Sequence, residues 1–87
     1  MSKLSKRLRR VLSGTSDNNV SFEEIRGLLL WLGFEERNPG GSHHTFSRSD
    51  IGEILTIPKR KPLKPVYVRK VRELILRHRL GDPDADP

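Results

Sequence analysis

No cysteine occurs among the 87 residues, which excludes disulfides and any thiolate-bound zinc site. That absence suits a reducing, cytoplasmic setting. Aromatic residues are also scarce, with one Trp, one Tyr and three Phe. Trp31 and Phe34 are expected in the core, which leaves Tyr67 as the one candidate for stacking on bases, so base reading by stacking is poorly supported. The longest apolar run, Leu28 to Leu32, is far short of the roughly 20 residues that span a membrane. The first residues are rich in Arg and Ser with no acid before Asp17, yet they lack the apolar core of a secretion signal. A chain of this length forms one domain and buries only about 60 % of its unfolded surface. A shallow face that docks a polymer therefore fits better than a deep, closed cofactor pocket.

What the chain has in excess is positive charge. Seventeen Lys and Arg stand against 11 Asp and Glu, giving a net charge of +6. Such a balance attracts polyanions: nucleic acid, an anionic membrane surface or an acidic protein. The cations are clustered. Lys3, Lys6, Arg7, Arg9 and Arg10 crowd the start, Lys59, Arg60, Lys61 and Lys64 form a second group, and Asp82, Asp84 and Asp86 mark an acidic tail.

Leu4, Leu8, Val11 and Leu12 recur at helical spacing and predict a basic amphipathic helix over 3–13, followed by a polar linker. Residues 1–20 are thus read as a basic helix and linker, 21–81 as the main domain, and 82–87 as a disordered tail. Ser21 and Glu24 have the spacing of a capping box. Phe22, Ile25, Leu28, Leu29 and Leu32 continue from it on one helical face, with Gly33 as the C-terminal stop. Short strands are expected at Phe34–Arg37, His43–Arg48 and Glu53–Ile57. Turns at Asn38–Gly41 and Ser49–Gly52 would make them an antiparallel meander. After the cationic loop, Pro65 opens a second helix, with Tyr67, Val71, Leu74, Ile75 and His78 on its inner face and Gly81 at its end. Two helices must cover one side of this sheet and leave the other open. The fold class is α+β, an α-β-β-β-α two-layer sandwich of the double-stranded-RNA-binding-domain type with an extra N-terminal helix. That order also occurs in proteins unrelated to RNA, so fold alone does not set function.

The segment Gly40-Gly41-Ser42-His43-His44-Thr45-Phe46 carries the candidate chemistry. Side chains alternate along a strand. With Phe46 inward, His44 and Arg48 share its side, while His43 faces out where a polymer can reach it. Imidazole can exchange a proton near neutral pH, and RNA brings its own nucleophile, the 2′-OH. Cleavage then needs a base, an acid and cations, which His43 and Lys59, Arg60, Lys61, Lys64 or Arg48 could supply. Spacing alone fits a turn histidine bonded to its own loop at least as well, and the basic loop fits a solvated linker. His78 reads as a C-terminal residue that complements its helix dipole. Adjacent histidines on a strand point apart and no nearby carboxylate completes a ligand set, so no metal site is expected.

From Ser21 to Leu76 the chain resembles the HicA toxins of toxin–antitoxin pairs. The matching pieces are the helix ending Leu32-Gly33-Phe34, then Gly41-Ser42-His43-x-x-Phe46, a strand ending in Pro58, a lysine-bearing loop, and Val68-Arg69-Lys70-Val71-Arg72. The resemblance implies metal-independent endoribonuclease cleavage of mRNA without a cofactor, with the catalytic histidine falling on His43 ahead of its neighbour His44; beside it His44 and Ser42 are read as auxiliaries. It also implies a HicB-like antitoxin partner. Many relatives carry a further histidine just after the third strand, where this chain has Lys59, Arg60 and Lys61, so the second proton-transfer group is left unassigned. The rival readings are a non-catalytic RNA- or DNA-binding module of the same fold, or a small ribonucleoprotein subunit. An antitoxin role would call for a DNA-reading helix-turn-helix or ribbon motif, and none is evident.

Overall fold

A computed structural model describes residues 3–38 and 40–81, with the side chains of Lys3 and Leu4 left aside. The acidic segment 82–87, expected to be disordered, lies outside the described residues, as does Pro39 of the first turn.

The elements run α1 (Lys3–Ser13), a short 3-10 turn (Asp17–Asn19), α2 (Phe22–Trp31), β1 (Glu35–Arg37), β2 (His43–Arg48), β3 (Ile51–Pro58) and α3 (Pro65–Arg77). The three strands form one antiparallel sheet in the order β1-β2-β3. This is the expected α-β-β-β-α sandwich with an additional helix in front.

Local chemistry fixes the helix ends. Ser21 accepts from the Glu24 amide while the Glu24 carboxylate accepts from the Ser21 amide, a complete capping box at α2. At the other end the Phe34 amide donates to the Leu29 carbonyl and the Gly33 amide to Leu30. This double closure requires a left-handed residue, which Gly33 supplies at φ +92. At α3 the same closure runs from Leu80 to Ile75 and from Arg79 to Leu76. Arg79, at φ 53, takes the left-handed position expected of Gly81.

The core gathers Ile25, Leu28 and Leu29 of α2, Phe46 of β2, Leu55 and Ile57 of β3, and Val68, Val71, Leu74 and Ile75 of α3. Each fully buried side chain of this size contributes roughly 1.5–3 kcal/mol. α1, expected as a basic helix ahead of the domain, places Leu8 and Val11 in that same core. It is pinned by Arg72 of α3, which donates to the Val11 carbonyl and to Asp17. Two expected core positions differ. Trp31 lies 44 % exposed, because it sits one residue beyond the face that Leu28 and Leu29 bury. On α3, Val68 takes the buried place assigned to Tyr67, which packs only partly against the core. β3 begins at Ile51, two residues earlier than expected, since Ser49 and Asp50 alone make the turn and Arg48 pairs with Ile51.

Candidate active site

β2 sorts its two histidines onto opposite sides of the sheet. His43, the first residue of the strand, is exposed and faces away from the helices, whereas His44 is buried beneath them. The turn before them carries Gly40 at φ +143 and Gly41 at φ +80. Both are backbone conformations that side chains disfavour, and nothing within 4 Å would meet a Cβ at either glycine. These glycines therefore serve the bend that starts the strand at His43.

His43 pairs in register with Pro58, and the next amide, Lys59, donates to the Ser42 carbonyl at 2.6 Å. That bond fastens the basic loop to the histidine's own turn. Lys59, Arg60, Lys61 and Lys64 are all exposed, with Lys64 capping α3. Among the described residues the His43 ring has no hydrogen-bond partner, and Ser42 contributes its carbonyl rather than its hydroxyl. Hence His43, Ser42 and Lys59 meet at one end of the sheet.

Arg48 does not join them. It stands at the far end of β2, donating to the Leu32 carbonyl at 2.9 Å and pairing with Asp50 at 2.8 Å. There it satisfies the C-terminal end of α2. Sequence reasoning missed Arg37, which is exposed at the end of β1 and pairs with Thr45. Its register puts it diagonal to His43 on the open face, a separation of about 7–8 Å between backbones. The signal for it was the period-2 alternation of Glu35, Glu36 and Arg37, readable only once the register is known.

His44 is held by a polar chain. Its Nδ1 lies 2.7 Å from Glu36, Nε2 lies 3.3 Å from the Asn38 amide, and the ring tilts against Phe22 at 4.9 Å. Arg26 of α2 donates to the other Glu36 oxygen at 2.7 Å. Burial pushes the Glu36 carboxyl up, but the His44 and Arg26 hydrogen bonds outweigh it and hold its pKa below the ordinary value. The chain floors a pocket of about 380 Å³ between α2 and the strand ends, lined by Phe22, Glu23, Arg26, Glu36, His44 and Lys59. His78, at the end of α3, instead faces Glu53, which Arg77 also binds. Among the described residues, no three His, Asp or Glu side chains converge as a metal-binding set, and no helix is long and apolar enough to cross a membrane.

Comparison with curated proteins and with solved structures gave no match. The family described as HicA toxin of bacterial toxin–antitoxin systems matches residues 22–78, about two-thirds of the chain. That span runs from the first residue of α2 through α3 and takes in all three histidines and the basic loop, so the chain belongs to the HicA toxin family.

Proposed function

We propose that this chain is the toxin of a toxin–antitoxin pair and acts as a metal-independent endoribonuclease on mRNA. HicA toxins pair with HicB antitoxins, and a HicB-like protein is the proposed partner here. The observation that carries the reading is the exposed His43 imidazole, without a partner among the described residues, beside a loop of four exposed cations. In the reaction the 2′-oxygen of one nucleotide attacks the adjacent phosphorus and the 5′-oxygen leaves. The products are a 2′,3′-cyclic phosphate and a free 5′-hydroxyl. His43 serves as the general base for the 2′-OH or the general acid for the 5′-oxygen. Lys59, Arg60, Lys61 and Lys64 hold the backbone, and Arg37 stands where it can meet charge on the phosphorane. His44 and Ser42 are auxiliaries, His44 anchoring the end of β2 from beneath and Ser42 joining it to the loop. The bond of Arg48 to α2 assigns it to the fold more than to RNA.

The test is expression of the chain alone. The wild type should arrest growth and leave mRNA fragments with cyclic or 3′-phosphate ends, and His43→Ala should abolish both at matched protein levels. Equal toxicity of the two would remove His43 from the mechanism.

A further inference from the structure

The pocket beside the sheet end has no part in proton transfer, because it opens on the helix side and His43 faces the other way. Two of its wall residues are nonetheless left with unused binding capacity. Glu23 and Arg26 lie one helical turn apart on α2, so their side chains share a face. Arg26 spends its Nε on Glu36, and its terminal guanidinium nitrogens have no partner among the described residues. The Glu23 carboxylate has none either. Beneath them the Phe22 and His44 rings, 4.9 Å apart and tilted by 58°, line the base of the pocket, and its other walls are polar. Lys59, whose amide is bonded to the turn before His43, forms the outer wall. A volume of about 380 Å³ falls within the roughly 300–1,000 Å³ of small-molecule sites.

We infer that this pocket takes one unpaired base of the RNA and favours guanine. The inference rests on the nuclease reading and adds to it a source of sequence preference. The argument is one of matching edges. A guanidinium fork offers donors only and needs two neighbouring acceptors, which guanine presents as O6 and N7. A carboxylate accepts only and needs neighbouring donors, which guanine presents as N1–H and the 2-amino group. Adenine places an amino donor where Arg26 needs an acceptor. Cytosine has neighbouring acceptors in O2 and N3 but leaves only its single 4-amino group for a carboxylate, and uracil has no two acceptors side by side. Single-stranded RNA is commonly read in this way, by splayed bases hydrogen-bonded on both edges. The pocket and His43 share one end of the sheet on opposite sides, joined through Lys59, so a base near the cut phosphate can turn over the strand end into the pocket.

The test measures binding without cleavage. Fluorescently labelled pentanucleotides UUGUU, UUAUU, UUCUU and UUUUU, with 2′-O-methyl groups that remove the nucleophile, are titrated onto the native chain. UUGUU should bind about tenfold or more tightly than the others. Glu23→Gln and Arg26→Lys should each bring it down to their level while leaving the other three unchanged. Arg26→Lys keeps a cation beside Glu36, so the fold is preserved. Equal affinity for all four, preference for another base, or a guanine preference that survives both substitutions would overturn the inference. Cleavage of ordinary RNA without any base preference would sink the pocket alone. Guanine preference without cleavage would sink the nuclease reading and leave the pocket standing.

Discussion

Exchanging each of the two adjacent histidines for alanine should produce opposite losses. His44 is 8 % exposed, hydrogen-bonded to a carboxylate at 2.7 Å and packed against Phe22. Losing a hydrogen bond to a charged group costs about 1.5–3 kcal/mol, and the void left against the Phe22 ring adds about 1 kcal/mol. Glu36 retains Arg26, so no orphaned charge is created, and His44→Ala should cost about 2.5–4 kcal/mol in all. For a domain of this size that lowers Tm by about 10 °C or more. His43 is exposed without a partner among the described residues, so His43→Ala should stay within about 0.5 kcal/mol of wild type. Urea denaturation followed by far-UV circular dichroism measures both. Cleavage is then assayed at a temperature where each variant is fully folded. His44→Ala should keep most of its activity there and His43→Ala none. A His43→Ala variant destabilised by more than about 1 kcal/mol, or an inactive but stable His44→Ala, would refute this reasoning and hand the proton transfer to His44.

RNA cleavage should persist in EDTA and spare DNA, which lacks the 2′-OH, and a strict need for magnesium with 5′-phosphate products would contradict that chemistry. Neutralising Lys59, Arg60 and Lys61 together should weaken binding to all sequences and flatten the salt dependence by about 0.7 log units per lost phosphate contact. If the salt slope is unchanged and the rate at saturating RNA collapses, the loop supplies chemistry instead. The depressed pKa of Glu36 means its ion pairs stabilise the fold fully above the ordinary carboxylate range, and that stability is lost as pH falls through the lowered value. Glu36→Gln should therefore be less stable at neutral pH and show a flatter acid limb, seen in denaturation midpoints between about pH 5 and pH 2. Val11→Ala, at a site 3 % exposed, should cost about 1–3 kcal/mol, which chemical denaturation would show, whereas a helix without a role in the core would tolerate it.

Much of the fold was legible because it is written locally. Ser21 and Glu24 announce the start of α2 three residues apart, and Gly33 announces its end. The alternation of His43 to Phe46 told which histidine faces outward, which the burial of His44 and Phe46 bears out. What escaped depends on partners far along the chain. Arg26, Glu36 and His44 come from three elements, and Asp17 meets Arg72 across 55 residues. No periodicity in one segment encodes such meetings. Trp31 was misplaced because a run of apolar residues hides which of them turns outward, and the left-handed turn at Arg79 went unforeseen because such an arginine has no sequence mark.

The joining of α1 to α3 bears on how the chain comes to be folded at all. Arg72 holds the Val11 carbonyl across 61 residues, and a Cβ at Gly81 would fall 2.7 Å from Leu8. The β2–β3 hairpin needs only neighbours and can close as soon as it leaves the ribosome. The helical roof is completed only by α3, whose Arg72 reaches both the Val11 carbonyl and Asp17. At about 5–20 residues per second, the stretch from Pro58 to Gly81 takes about one to five seconds to make. Throughout that interval the sheet lacks the share of its cover that α3 provides. The roof therefore closes in two stages, α1 on α2 through Arg10 and Glu24 and then both on α3, so the core is completed only when the last helix has been made.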